Sequence, residues 1–425
     1  MNTKNKTVLS CTCLMLTITT MGLNLHAQDW PQWRGIHRDG ISGERGLNLN
    51  WSSKQPTLLW TFREAGSGYS SPTIVGTTLY CQGGADGNDF AFALDTQTGA
   101  LKWKQNLGFE HISFQNRGNG PRGSVTVDGE KLYLIRSDGV IHCLSATDGK
   151  MIWQKDFVKD FGGKMMSDWG YSESPLVDGN LVICTPGGSG GMMVALDKNS
   201  GALVWRSKEW TDDAGYSSPI VVEADGVRQY VQQSGKGYAG VSALDGKLLW
   251  RFGVDAYRTA IIPTPISLGN MVYITAGYNG GSHLHRLTKS DSGCNAETVY
   301  SNKNMVNQHG GAVLLNGYVY GFSEGLGWTC QNFSTGEVAW RERNNDVSKG
   351  SLIAVNNRLI LQNERGGMLT VVAASPEGWE EYGRMEFPER TKIATQDNMV
   401  WTHPVVSHGK LYVRDHDLLF CYDLK

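Results

Sequence analysis

An eleven-residue phrase recurs along this chain at intervals of roughly 40 to 50 residues, and that period constrains the fold more than any other feature. It runs Ala93-Leu94-Asp95-Thr96-Gln97-Thr98-Gly99-Ala100-Leu101-Lys102-Trp103 and returns as Cys143 to Trp153, with Asp148-Gly149-Lys150 at its turn. Further copies run from Ala195-Leu196-Asp197 through Gly201 to Trp205, in shortened form from Ala243-Leu244-Asp245 to Trp250, and from Cys330 through Thr335-Gly336-Glu337 to Trp340. Degenerate copies end near Tyr300 and Tyr382. Each reads as a strand, a tight turn carrying Asp and Gly, and a second strand ending in an aromatic. A Trp repeated at that point is placed to pack between neighbouring units.

A second signature precedes each phrase: a small residue or Pro, an alternating apolar run, a turn and another strand. Clear versions are Ser70-Ser71-Pro72-Thr73-Ile74-Val75-Gly76, Glu173-Ser174-Pro175-Leu176-Val177-Asp178-Gly179 and Ser217-Ser218-Pro219-Ile220-Val221; weaker ones begin at Gly123, Pro263, Gly310, Gly350 and Thr402. Eight copies of two hairpins predict an all-β, eight-bladed β-propeller of four-stranded antiparallel blades over residues 58–425. A content of 53 Gly, with 10% aromatic and only 19% charged residues, suits many short strands joined by tight turns. The last copy supplies only three strands, ending at Leu418-Leu419-Phe420-Cys421-Tyr422-Asp423, and Leu58-Leu59-Trp60-Thr61-Phe62 is the missing fourth. Pairing these two segments closes the ring and leaves no open sheet edge.

Residues 1–27 have the parts of a secretory signal: Lys4 and Lys6, an apolar stretch from Val8 to Leu23, and Leu25-His26-Ala27 before Gln28. The expectation is an exported protein, periplasmic or extracellular, with no transmembrane segment in the mature chain, because the apolar run falls short of the ~20 residues a span needs. Residues 28–57 form a leader rich in Trp and Arg, with Trp30, Trp33, Trp51, Arg34 and Arg38, expected to pack on the propeller. Cys143, Cys330 and Cys421 stand where other copies have Ala93, Ala195 and Ala243, which reads as small buried thiols rather than a disulfide framework. A formal net charge of −2 without any block of Lys or Arg argues against nucleic acid as a partner.

Lined up in this way, the chain resembles the PQQ-like, quinoprotein-type propeller repeat family along nearly all of the mature protein. The start Asp29-Trp30-Pro31-Gln32-Trp33-Arg34-Gly35 with Arg38-Asp39-Gly40-Ile41-Ser42, and the stretch His309-Gly310-Gly311-Ala312-Val313 with Tyr320-Gly321 and Trp328, resemble an exported bacterial subgroup. The resemblance implies the fold but spans several functions, from PQQ alcohol dehydrogenases to cofactor-free BamB-like assembly scaffolds. Many of the dehydrogenases carry adjacent cysteines beside the quinone, with Glu, Asn and Asp around calcium. This sequence has no Cys-Cys pair and no haem-attaching C-x-x-C-H, so PQQ with Ca2+ as cofactor lacks that support.

In a propeller the loop before each innermost strand points into one mouth of the central funnel. Those loops supply Tyr69, Arg117, Arg122, Asp168, Trp169, Tyr171, Glu173, Asp212, Asp213, Tyr216, Tyr257, Arg258, Asn307, Gln308, His309, Lys349, Asp397, Trp401 and His403. Arg122, Arg258 and Lys349 are candidate partners for carboxylates, Gln308 for polar groups, and Trp169, Tyr171, Tyr216 and Trp401 for stacking on a ring. His309 or His403 is the candidate general base, with Tyr216 as an acid. Glu173 is the candidate metal ligand or acid, although no metal site is read from spacing, since Asp212-Asp213 and Glu380-Glu381 lack the pattern of a calcium loop. The leading expectation is therefore a propeller that binds a polar, anionic small ligand or a protein partner in its funnel, without requiring catalysis. The enzymatic alternatives are a PQQ/Ca-dependent alcohol or sugar dehydrogenase and a polysaccharide-active lyase on uronic acids; a BamB-like assembly scaffold is the third.

Overall fold

The computed structural model describes residues 28–109, 120–254, 261–291, 293–343, 346–393 and 399–425. The expected signal peptide lies outside the described residues. Eight antiparallel sheets follow one another as blades over residues 73–109, 126–156, 176–206, 220–253, 266–302, 312–342, 350–385 and 405–423. The eighth is completed by Thr57–Phe62, which pairs antiparallel with Leu418–Asp423 in the register Trp60 to Cys421. Ring closure between an early strand and the last blade is thus as the sequence predicts. Blade 7 carries a fifth strand, Ile41–Ser42, parallel to Gly350–Val355. Among the described residues the one helix is Phe157–Phe161, capped by the Asp156 side chain, which accepts from the Val158 and Lys159 N–H groups.

The repeated phrase is an interlock between blades. In every blade the outer strand has one extra residue opposite its neighbour, a β-bulge, and in all but blade 7 an aromatic directly follows it. In five cases, Trp60, Trp103, Trp153, Trp205 and Tyr300, that aromatic covers the turn glycine of the next blade. A Cβ on Gly149 would stand 2.6 Å from the Trp103 ring, one on Gly201 2.7 Å from Trp153, and one on Gly246 2.4 Å from Trp205. These glycines also hold positive φ, 73°, 69° and 74°, so both the close approach and the backbone require Gly. The indole N–H groups finish the link, Trp103 donating to Ala146 O and Trp153 to Lys198 O, each at 3.1 Å.

The register corrects one alignment. Trp103 pairs with Ala93, Trp153 with Cys143, Trp205 with Ala195, Trp340 with Cys330 and Trp60 with Cys421, but Trp250 pairs with Gly240 rather than with a residue aligned to Ala243. The blade-4 copy is therefore not shortened. Its Ala243-Leu244-Asp245 triplet lies in the turn, where Leu244 is 87% exposed, whereas Leu94 and Leu196 are fully buried in strands. A Cβ at position 240 would meet Trp250 Nε1 at 2.4 Å, which is why this copy has Gly where the others have Ala or Cys. The six described cysteines are buried and unpaired.

Around the axis the small-residue signature works through its hydroxyls. The Ser124 N–H donates to Ser174 Oγ, the Ser174 N–H to Ser218 Oγ and the His403 N–H to Ser71 Oγ, at 2.8 to 2.9 Å, each tying one blade to the next. At the closing seam a buried Arg414 donates to the carbonyls of Ser70, Gln82, Ala65, Gly66 and His416 at 2.7 to 3.1 Å, fastening blade 8 to the start of blade 1.

Residues 29–42 run across this ring. The Trp30 N–H donates to Ile74 O at 2.8 Å, the Val127 N–H to Pro31 O at 2.8 Å, and the Ala354 N–H to Gly40 O at 2.9 Å. Arg38 donates to Ser174 O and Pro175 O, Arg34 to Ala312 O, and Ser42 Oγ to Val406 O. Arg34 and Arg38 are buried with φ of 61° and 57°. Left-handed backbone at a non-Gly residue costs on the order of 1 kcal/mol. Carbonyls gathered round each guanidinium hold it in place.

Candidate functional site

The loops before the inner strands meet around a cavity of about 280 Å3 on the propeller axis. Six aromatic residues, Trp33, Tyr69, Trp169, Tyr216, Tyr278 and Trp401, line it. The Tyr69 ring lies 4.9 Å from Trp401 and Trp169 lies 6.5 Å from Tyr216, centroid to centroid. A cup of this size walled by π faces suits one ring held by stacking and edge contacts. Trp33 comes from the leader. Its indole N–H donates to Thr264 Oγ1 at 2.8 Å, and its ring meets His403 edge-on at 4.6 Å.

The polar side of the cup is organised by Glu364, which directly follows the second strand of blade 7, Arg358–Asn363. Its carboxylate accepts the Trp401 indole N–H at 3.2 Å, faces Lys349 Nζ at 3.3 Å, and stands 3.6 Å from His309 Nε2. Lys349 also donates to Gln308 Oε1, and Gln308 Nε2 donates to the Tyr278 hydroxyl at 2.5 Å. Backbone bonds from Glu364 N–H to Lys349 O and from Val400 N–H to Glu364 O fix the hub itself. Arg122 lies with its guanidinium 5.0 Å from the Tyr69 ring centre. Among the described lining residues three cations, Arg122, Lys349 and Arg365, outnumber one carboxylate.

Both histidines sit at the base in neutral form. Burial, with Lys349 and His403 nearby, drives His309 well below the ordinary imidazole range, and burial with the Arg34 charge brings His403 down to about 3. A carbonyl can only accept, so the contact of His403 Nε2 with His309 O at 3.2 Å places the His403 proton on that nitrogen. Bases this weak supply little driving force for abstracting a proton at neutral pH. The Tyr216 hydroxyl, bonded to Ser167 Oγ, is pushed above the usual phenol range by burial.

Of the residues singled out from the sequence, Arg122, Trp169, Tyr216, Gln308, His309, Lys349, Trp401 and His403 line the cavity. Arg258, like Arg117, Tyr257 and Asp397, lies outside the described residues. Tyr171 and Glu173 face away, a correction with a simple cause: in extended chain, alternate side chains point in opposite directions, so Ser172 and Ser174 take the cavity side. Tyr171 is buried against Phe157, with its hydroxyl donating to Pro186 O at 2.8 Å. Glu173 is buried between blades 3 and 4, accepting from the Thr185 N–H at 2.6 Å and from Gln232 Nε2 at 3.3 Å, and burial raises its pKa to about 7. For the expected metal-ligand role of Glu173, no three His, Cys, Asp or Glu among the described residues gather as a metal group. Glu364 and Trp33 were missed because neither sits in a loop preceding an inner strand. In blade 7 Glu364 directly follows the buried strand Arg358–Asn363, an acidic residue at the inner end of an apolar run, and that is the sequence signal for it.

The cavity residues do not fit a calcium-held quinone. Calcium takes six to eight oxygens, whereas among the described residues the one lining carboxylate is already engaged by Trp401 and Lys349, and no three His, Cys, Asp or Glu gather as a metal group.

Comparison with known proteins finds relatives of more than one function on this fold. The chain is 28% identical over 244 residues to "Outer membrane protein assembly factor BamB" of Yersinia pestis, covering 53% of this chain and 57% of that protein. It is 27% identical over 203 residues to "Lanthanide-dependent methanol dehydrogenase" of Methylacidiphilum fumariolicum strain SolV, covering 45% of this chain and 30% of the relative. The chain thus spans less than two thirds of either relative. Among solved structures, BamB from Moraxella catarrhalis superposes with a TM-score of 0.62 at 17% identity over 87% of this chain and 98% of that one. Quinohemoprotein alcohol dehydrogenase from Comamonas testosteroni gives 0.64 at 13% identity over 95% and 81%, and both likenesses speak to fold alone. Residues 92–341, more than half of the sequence, match the family described as "Outer membrane protein assembly factor BamB", and the chain belongs to that PQQ-like propeller family.

Proposed function

We propose that this protein is exported and binds a small, ring-containing anion in the aromatic cup, as a binding protein and not as a dehydrogenase or lyase. The observation that carries this reading is the composition of the cup: six aromatic rings and, among the described lining residues, three cations against one carboxylate converge on about 280 Å3. Rings stack on rings, Arg122 offers a fork to a carboxylate, and the Glu364–Lys349–Gln308 array presents acceptors and donors to hydroxyls. Neutral, buried histidines speak against proton abstraction, and the donor set speaks against a calcium-held quinone. Export rests on the character of residues 1–27 and on the outer-membrane role in the relative's name; no helix among the described residues is long and apolar enough to cross a membrane.

Thermal shift with D-glucuronate, D-galacturonate, benzoate and neutral D-glucose tests it. At least one of the anions should raise the melting temperature in wild type, and do so at least tenfold less effectively in Arg122→Ala. No shift from any of the anions would sink the reading.

A second reading has its own observation. Apolar residues stand exposed on the outer strands of successive blades, among them Leu59 at 43%, Ile152 at 45% and Val204 at 54%, and the family description supports a protein partner there. Under that reading Ile152→Ser with Val204→Ser removes partner binding while Arg122→Ala is silent.

A further inference from the structure

We infer that the binding site is blind: the leader closes the propeller axis behind it, Trp33 is its floor, and its ligand is a free small molecule or the end of a chain, never a threaded strand. This rests on the proposed binding reading and adds to it the way the ligand enters and what it touches last.

Three observations carry the inference. First, residues 29–42 bond to inner strands or their approaches in seven of the eight blades: Ile74 in blade 1, Val127 in blade 2, Ser174 and Pro175 at blade 3, Thr264 before blade 5, Ala312 in blade 6, Ala354 in blade 7 and Val406 in blade 8. Fourteen residues touch strands on all sides of a ring only by crossing its axis. Second, the cup and a second cavity of about 380 Å3 share no lining residue, although the leader borders both. The leader gives Trp33 to the first and Gln32, Ile36, His37, Arg38 and Asp39 to the second. One coiled stretch of chain thus borders both cavities, which is what a partition one chain thick looks like.

Third, the partition is rigid. Gly35 and Gly40 at φ of 84° and 76°, with Arg34 and Arg38 also left-handed, coil the segment tightly, and a Cβ at Gly35 would stand 2.8 Å from the Trp30 ring. Burial lowers Arg34 to about 10 and Arg38 to about 9, so both stay charged near neutrality and keep their carbonyl partners. Trp33 itself is fixed by Thr264 and His403 and presents a preformed surface to whatever enters.

Fluorine NMR of the protein labelled with 5-fluorotryptophan tests this. Resonances of Trp33, Trp169 and Trp401 are assigned by single Trp→Phe changes. Should Trp33→Phe not fold, Thr264→Val identifies the Trp33 signal by removing its N–H acceptor. With D-glucuronate, D-galacturonate or benzoate added, the Trp33 resonance should move together with Trp401 or Trp169, by a saturable shift. Movement of Trp169 or Trp401 with Trp33 unmoved would overturn the floor while leaving the binding reading intact. No movement of any of the three would remove the binding reading, and the floor with it. As an independent check on blindness, a galacturonate oligomer blocked at both ends should bind at least tenfold more weakly than the free oligomer; equal binding would show a site open to internal segments and overturn the inference.

Discussion

The outer belt and the axial mouth of this propeller are built from the same repeats and obey opposite rules. At the belt, one arrangement returns at five of the blade-to-blade links: bulge, aromatic, turn glycine of the next blade. At the mouth the blades contribute largely different chemistry: Tyr69 recurs as Tyr216, but Arg122, Ser172, Gln308, Lys349 and Trp401 come from corresponding loops and differ from one another and from the tyrosines. Where repeats agree they hold the ring together, and where equivalent positions diverge the ring is free to build a single asymmetric site. Changes at the belt should therefore cost stability without touching binding, and changes at the mouth the reverse.

The largest effect is expected at the belt. Trp153→Ala removes an indole that is 9% exposed and its bond to Lys198 O, and should lower unfolding free energy by about 3–5 kcal/mol in urea titration. A loss under about 1 kcal/mol would mean that the interlock is not what holds neighbouring blades.

Next comes Glu173, a mouth residue by sequence position and a packing residue by structure. Its folded pKa of about 7 lies above the ordinary value of 4.5, so the folded state binds its proton more tightly than the unfolded one. That contribution is complete below about pH 4.5 and fades as pH rises toward 7, by on the order of 3 kcal/mol. Glu173→Gln should flatten this slope in denaturant titrations at pH 5 and pH 8, with the variant the more stable at pH 8. An unchanged slope would place the titration elsewhere.

Gly149→Ala combines φ of 73° with a Cβ 2.6 Å from Trp103, and should cost about 1–3 kcal/mol with binding retained. Glu364→Gln should instead weaken ligand binding about tenfold, read by calorimetry, by loosening Lys349, with the fold kept. The smallest effect belongs to Leu244→Ser, within about 0.5 kcal/mol, against several for Leu94→Ser. These two leucines look equivalent in the repeated Ala-Leu-Asp letters, and only the strand register separates them.

That pair shows what the sequence made legible. Blade number, closure through Thr57–Phe62 and the Trp docking were readable because period and turn chemistry are local and repeat often enough to average out noise. The Ala243 alignment misled because three matching letters outweighed a ten-residue spacing from Gly240 to Trp250 that every Trp copy keeps. Most of the cup was readable from loop position alone. Loop position alone puts Tyr171 and Glu173 at the mouth, and the alternation of side chains along the extended chain points them between blades instead. Trp33 joins the site only through a crossing of the whole ring, which no local pattern reports.

Calorimetric titration of the best-binding anion among glucuronate, galacturonate and benzoate into wild type, Arg122→Ala and Ile152→Ser tests the central claim most directly. The account predicts one-to-one binding in wild type, a loss of at least tenfold in Arg122→Ala, and no change in Ile152→Ser. Equal affinity in wild type and Arg122→Ala, or no binding heat from any of the three anions, would contradict it.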